Sequence, residues 1–348
     1  STNPNVQEAI QTCINTKKPV NYESYFVTKS KREIWSQTTL TPILNSKEEV
    51  VKLVAIDTDI TRRKMAEEEI AQQKEELQVQ SEELEKVNKK LQNINLQLTD
   101  SISYAKMIQE AMLPSEKLIK EVLPDSFIFY KPRDIVSGDF FWFSQKDGYM
   151  FIAAADCTGH GVPGAFMSMI GNTLLNEIVN ENNVYKPSEI LRKLHLGVKN
   201  ALYRETDSND TQNEGMAISI CRIDQNNNNL CIATADQSVC FVKDHEIYSI
   251  KGSLFSIGGM FTQNEIEFEE HILTLEKGMT LYLYSDGFQD QYGGTDYQKF
   301  MVSNFRSLLL SISEMPMKEQ LKKLVSTFQL WKGDNKQTDD VMVIGIGF

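Results

Sequence analysis

Residues 149–165 read YMFIAAADCTGHGVPGA, and the texture changes at Asp156. Before it runs an apolar stretch with the length and character of a buried strand. After it, two glycines flank His160, and from Ala165 onward the pattern is helical. Asp156 therefore ends a strand, at a rim where a site can form. Three more segments repeat the arrangement: SGDFFWF (Asp139), YLYSDGF (Asp286) and QTDDVMV (Asp339, Asp340). One Asp-Gly pair marks only a turn. Four acids at strand rims are a set of hard oxygen ligands suited to Mg²⁺ or Mn²⁺, and the scarcity of His and Cys beside them argues against zinc.

Outward from these acids, short strands are predicted near residues 127–130, 140–143, 149–155, 216–222, 230–235, 238–243, 266–273, 279–284 and 341–346. Helices are predicted near 165–179, 187–203, 298–313 and 317–331. The strands come in runs joined by hairpin signals such as Asp224-Gln225-Asn226 and Asp244-His245, which is an α+β pattern of mainly antiparallel sheets.

Upstream, residues 62–112 contain no Pro or Gly and are rich in Glu, Gln, Lys and Leu, the composition of a long helix. Ile70, Leu77, Leu84, Leu91, Leu98, Ala105 and Met112 recur every seven residues, with Val87, Ile94 and Ile108 three places later. That repeat predicts a parallel, two-stranded coiled coil and hence a homodimer. Gln73, Gln80 and Ser101 interrupt the second seam. Leu113-Pro114 closes the helix. Residues 21–57 hold three runs of β character after a short amphipathic helix at 6–13, a unit too thin to be stable alone.

The 348 residues suggest two to three domains. Thirty-six Lys and Arg against 48 Asp and Glu leave a net charge of −12, which repels a polyphosphate backbone and speaks against nucleic-acid binding. No apolar run reaches membrane-spanning length and the first residues lack signal-peptide features, so no membrane association and a cytoplasmic location are expected. Five cysteines without C-x-x-C spacing suggest reduced, structural thiols.

The acidic segments carry a resemblance. Asp139 within P-R-x-x-x-S-G-D-F, Asp156 within D-x-x-G-H-G-x-P-G-A, Asp286 within S-D-G and Asp339-Asp340 before the last strand resemble the metal-dependent phosphatases of the protein phosphatase 2C class, most closely the stage II sporulation protein E-like serine phosphatases. The resemblance covers residues 124–348. It implies an αββα sandwich of two antiparallel sheets flanked by helices, holding two Mn²⁺ or Mg²⁺ ions per catalytic domain. By the same resemblance, Asp156 bridges both ions and the Cys157 carbonyl binds one. Asp286 and Asp339 bind the other, and Asp139 holds water around the pair. The resemblance implies that His160 protonates the leaving seryl or threonyl oxygen, the alternative being a purely structural turn histidine. Arg133 is weighed equally as a phosphate contact and as a surface residue, and Asp236 as a turn former or a ligand of a weak third metal. The implied partner is a phosphorylated regulatory protein, for which an anti-sigma factor antagonist is one candidate. Ala217 and Met342 depart from the pattern, standing where relatives often carry an acid and a hydroxyl.

Residues 21–64, ending VAIDTDITRRK, resemble the last three strands and exit of a PAS sensor domain. The expected organisation is a partial PAS-like sensor at 1–61, a coiled-coil signalling helix at 62–112, a connector at 113–123 and a phosphatase domain at 124–348. A diguanylate cyclase, suggested by SGDFF, lacks the second glycine and would leave the later acids unexplained. A histidine kinase lacks a His before residue 160. A pseudophosphatase that only binds phosphoproteins draws its support from Ala217 and Met342.

Overall fold

A computed structural model describes residues 4–202, 215–259 and 266–348. The chain divides into two compact units, Ser1–Leu96 and Gln97–Phe348. In the first, α1 (Pro4–Thr16) covers a three-stranded antiparallel sheet, β1 (Val20–Val27), β2 (Glu33–Leu44) and β3 (Val50–Asp59). Its small core is Ala9, Cys13 and Leu40 with Val20, Tyr22 and Leu53 around them. The segment DIT turns the chain from β3 into α2 (Thr61–Met112). Asp59 Oδ1 accepts hydrogen bonds from the Thr61 N–H at 2.9 Å and the Thr61 hydroxyl at 2.6 Å, satisfying one of the free donors of a helix start. Ile60 is buried beside this turn, and Glu23 receives both Arg63 and Lys64.

The second unit is a four-layer sandwich. After α3 (Glu116–Val122) come β4 (Ser126–Lys131), β5 (Phe140–Lys146), β6 (Tyr149–Cys157), α4 (Val162–Leu175) and α5 (Pro187–Leu202). Then follow β7 (Met216–Asp224), β8 (Asn229–Ala235), β9 (Ser238–Lys243), β10 (Glu246–Lys251), β11 (Glu270–Thr274), β12 (Thr280–Tyr284), β13 (Tyr292–Gly293), β14 (Gln298–Lys299), α6 (Val302–Ile312), α7 (Met317–Lys332) and β15 (Val341–Gly347). One sheet runs β10-β9-β12-β15-β4 and the other β11-β8-β7-β6-β5, with neighbouring strands antiparallel throughout the described residues. The period of two in the strands sorts side chains into three apolar layers. Phe141, Ile152 and Ala154 meet Leu281, Leu283 and Ile344 between the sheets. Phe140, Trp142 and Phe151 pack outward with α4 and α5, and Tyr282, Tyr284 and Phe129 with α6 and α7. Each large side chain so enclosed contributes about 1.5–3 kcal/mol.

Several elements differ from the sequence reading. The helix expected from Ala165 begins at Val162, because Pro163 stands in the first turn, where its missing N–H has no partner to lose. It continues past Leu175 as a π-helical turn, Asn176–Glu181. The helix expected over 298–313 begins at Val302, since Gln298–Lys299 pairs with Tyr292–Gly293. The strand expected over 266–273 begins at Glu270, and the edge strand β10 and the short helix α3 lie where no element was expected. Tyr203, the expected end of α5, lies outside the described residues.

Candidate metal centre

Register brings the four acids to one edge. Phe140 pairs with Ala155, so Asp139 and Asp156 lie next to each other one residue beyond that pair. Tyr284 pairs with Val343, and Asp286 follows one of these strands while Asp339 precedes the other. Both sheets thus deliver two carboxylates to the same rim. Asp156, Asp286 and Asp339 line a cavity of about 640 Å³, together with His160 and Asp236. Asp139 is 2% exposed and enclosed beneath them.

Close main-chain contacts hold this edge. A Cβ on Gly164 would stand 2.4 Å from the Gly159 carbonyl oxygen, and one on Gly287 only 1.8 Å from that of Asp340, so neither position admits a side chain without movement. Asp340 is buried and works as a clamp. Its Oδ1 accepts the Arg133 N–H at 2.6 Å and its Oδ2 the Gly138 N–H at 2.7 Å, tying the approach to β5 onto the start of β15. Ser285 ties the strands further, its hydroxyl accepting the Met342 N–H at 3.0 Å.

The electrostatics are those of a cluster lacking its counter-charge. Burial, then the Asp286, Asp339 and Asp340 charges, push the Asp156 carboxyl up to about 8. Burial, then Asp290 and Asp339, raise Asp286 to about 6 against the opposing pull of Lys299. Asp139 is raised by burial and by Asp156, although a Ser285 hydrogen bond opposes the shift, and Asp339 is raised by burial. Asp139 Oδ2 is buried without any hydrogen-bond partner. A buried carboxyl oxygen without a partner among the described residues, beneath three acids that raise one another's proton affinity, fits a divalent cation. Among the described residues, no three His, Cys, Asp or Glu side chains converge closely enough to hold an ion by themselves. A cation here would therefore draw on main-chain carbonyls and water as well, as Mg²⁺ characteristically does.

The remaining expected residues are placed as follows. His160 is exposed at the cavity, its Nδ1 3.2 Å from Asp134 Oδ2. Asp134, which sequence reasoning passed over, thereby orients the imidazole. Cys157 is buried and its thiol pushed well up by burial, so it is no nucleophile. Asp236 lines the cavity in a left-handed turn (φ +51°). Arg133 does not line the cavity: its guanidinium donates to the Thr338 carbonyl at 3.0 Å, from where its charge acts on Asp339. Ala217 pairs directly with Asp156 across β6 and β7. Two further residues were missed. Arg306 of α6 lines the cavity. Gln109, near the end of α2, is buried, and its Nε2 donates to Ser137 O at 2.6 Å and Ser168 Oγ at 2.7 Å while Oε1 accepts the Ser137 N–H at 3.1 Å.

The family model of stage II sporulation protein E (SpoIIE) matches residues 146–348. The chain belongs to the SpoIIE family. The SiaA-PP2C domain of Pseudomonas aeruginosa is similar in structure, with a TM-score of 0.65 and 28% identity over 73% of this chain and 98% of that one. The phosphoserine phosphatase RsbU of Bacillus subtilis is 25% identical over 195 residues, 55% of this chain and 54% of that protein, so the chain spans about half the length of this curated relative. The PP2C phosphatase domain of SpoIIE from Bacillus subtilis, at 15% identity and a TM-score of 0.50 over 64% of this chain and 63% of that one, shares the fold. The α+β sandwich is thus that of the PP2C-type domains of this family. No helix among the described residues is long and apolar enough to cross a membrane.

Proposed function

We propose that this SpoIIE-family chain is a metal-dependent protein serine/threonine phosphatase acting on a phosphorylated regulatory protein. The observation that carries the reading is the four-carboxylate edge with an orphaned Asp139 oxygen and no Lys or Arg paired to it among the described residues. Family membership and the PP2C-type fold support it. Asp156, Asp286, Asp339 and the Cys157 carbonyl would hold two Mn²⁺ or Mg²⁺ ions, with Asp139 ordering the water around them and Asp236 available to a weaker third. Bound there, such ions supply a water acidic enough to attack phosphorus and neutralise charge on the phosphoryl oxygens. The chain's own residues do the rest. His160, oriented through Nδ1 by Asp134, releases a proton from Nε2 to the departing seryl oxygen as its bond to phosphorus breaks. Arg133 steadies Asp339 through the Thr338 carbonyl.

The same reading includes a PAS-like sensor over 1–61, a signalling helix over 62–112, a connector at 113–123 and the catalytic domain at 124–348, joined as a parallel homodimer. Ile70, Leu77, Leu84, Leu91 and Leu98 are each more than half exposed in the single chain, as a seam awaiting its twin would be. α2 reaches the catalytic unit through Gln109, which bonds Ser137 two residues before Asp139 and so gives the helix a route to the metal ligands.

The test is hydrolysis of p-nitrophenyl phosphate and of a phosphoserine peptide with Mn²⁺, with EDTA, and by the Asp156→Ala and Asp286→Ala chains, alongside Mn²⁺ binding by calorimetry. Turnover that needs Mn²⁺ and disappears with its binding in both variants is expected. Near-normal turnover in either variant would overturn the ligand assignment. Peptide binding with no turnover in the unaltered chain would establish the pseudophosphatase that Ala217 and Met342 suggest.

A further inference from the structure

The cavity that receives the carboxylates has a cation on another wall. Arg306 of α6, Gln237 at the entrance to β9 and Gln289 beyond β12 all line it. Arg306 Nε, Gln237 Oε1 and Gln289 Oε1 have no hydrogen-bond partner among the described residues but are sealed from the cavity, so what Arg306 offers a ligand there is the rest of its guanidinium.

Arg306 is the only Lys or Arg among the cavity-lining residues described. One Nη donates to Ser249 Oγ at 3.0 Å, and the guanidinium also interacts with the Tyr284 hydroxyl. No carboxylate of the described chain pairs with it, so this partly buried cation lacks a counter-charge. The Gln237 amide is fixed by its Nε2, which donates to the Tyr284 carbonyl at 2.7 Å. At about 640 Å³ the cavity is of a size that takes a drug-like ligand, room for more of a polypeptide than one phosphoserine side chain.

We propose that Arg306 forms a second substrate subsite, which takes an Asp or Glu residue flanking the phosphoserine, its carboxylate on the Arg306 guanidinium. A guanidinium is the cation best matched to a carboxylate. Arg306 is the group that lets an acidic sequence enter a cavity walled by carboxylates. This inference rests on the phosphatase reading for its substrate class.

The experiment compares kcat/KM for phosphoserine peptides whose neighbours, on either side, are Asp, Ala or Lys. The unaltered chain should prefer an Asp-flanked peptide to the Ala-flanked one by about tenfold or more, the scale of one charge-assisted hydrogen bond. Arg306→Gln should bring that ratio to about one, mainly through KM, and Arg306→Glu should reverse it in favour of Lys. Gln289→Ala, on another element of the cavity wall, should keep the ratio. A flat preference in the unaltered chain, or an unchanged ratio in Arg306→Gln, overturns the subsite. Equal losses by Arg306→Gln on every peptide and on p-nitrophenyl phosphate also overturn it, placing Arg306 on the phosphoryl group or in folding. Hydrolysis of p-nitrophenyl phosphate by the unaltered chain tests the phosphatase reading separately. Were it absent, fluorescence anisotropy of the same peptides would still read the acid preference.

Discussion

Replacing Asp340 by Ala separates what its neighbour Asp339 does from what Asp340 does. Asp340 is 3% exposed and accepts two main-chain N–H groups, from Arg133 at 2.6 Å and from Gly138 at 2.7 Å. Two hydrogen bonds to a charged group are worth about 1.5–3 kcal/mol each, and the Gly138 donor is left buried without water to take its place. Against that, the Asp340 charge repels Asp139 and Asp156, and its removal returns about 1–2 kcal/mol at an effective dielectric constant near 20. The net loss is about 3 kcal/mol, or about 6–12 °C in Tm for a domain of this size. Asp340→Asn keeps one acceptor oxygen and turns an NH₂ toward the other donor, so it should fall between the two. Asp339→Ala loses only the Asp340 N–H to Oδ1 bond at 2.8 Å while relieving repulsion, and should stay within about 1 kcal/mol of the unaltered chain yet lose turnover. Thermal melts followed by near-UV circular dichroism, with EDTA present to remove metal linkage, measure the difference. A Tm for Asp340→Ala within about 2 °C of the unaltered chain would refute the clamp.

The metal-free chain should lose stability as pH rises. Asp156 is raised to about 8, far above an unfolded carboxyl near 3.9, so the folded state binds more protons between those values and stability falls across that window. Melts in EDTA at pH 5.5 and 8.5 should show the lower Tm at 8.5, and excess Mn²⁺ should shrink the gap. An equal or higher Tm at 8.5 in EDTA would contradict the buried-acid account. Leu84→Asp with Leu91→Asp buries like charges across the proposed seam and should convert a dimer to monomers by light scattering. Dimers surviving both changes would move the contact elsewhere. Gln109→Leu strips the Ser137 N–H of its acceptor and should raise the Mn²⁺ concentration giving half-maximal hydrolysis, whereas an unchanged metal dependence would sever α2 from the site.

The parts of this fold legible in the sequence were those written in local pattern. Strand ends at Asp139, Asp156, Asp286 and Asp339 follow from apolar runs that stop at a polar residue, and α2 follows from a heptad repeat free of Pro and Gly. Relations between distant segments left no such mark. Nothing around Asp340 announces that its oxygens receive main-chain groups more than 200 positions earlier, and Gln109 reads as one more polar residue on a polar helix until Ser137 and Ser168 enclose it. Arg133, next to a proline and ahead of the first acid, offered a phosphate contact as readily as a surface position, and only tertiary packing directs it to the Thr338 carbonyl. β10 was missed because EIYSIK is an edge strand whose partly charged face gives a weak alternation. The helix expected from Ala165 starts earlier, at Val162, because Pro163 fits a first turn, where its missing N–H costs nothing.

The two sheets meet their acids at a cost that the fold accepts only at its edge. A carboxylate at a strand end keeps one side open to the cavity, which is how Asp156 and Asp339 remain half-buried while Asp139, one layer in, is fully enclosed and has an unpaired oxygen. That makes Asp139 the member most sensitive to its supports: Tyr130, whose hydroxyl donates to the Asp139 carbonyl at 3.0 Å, the Ser285 hydrogen bond, and Gly138, held by Asp340. Gln109 belongs to the same set, since its amide satisfies both the N–H and the C=O of Ser137 at once. A small displacement of the last turns of α2 would leave those two buried main-chain groups unpaired, at about 1–3 kcal/mol each, two residues from the innermost acid. Against carboxylates already repelling one another, a penalty of that size is enough to change how well the edge is arranged for a cation. Any influence of α2 on the edge would pass through this amide, beside the Met112 carbonyl that accepts Asn172 Nδ2 at 3.3 Å.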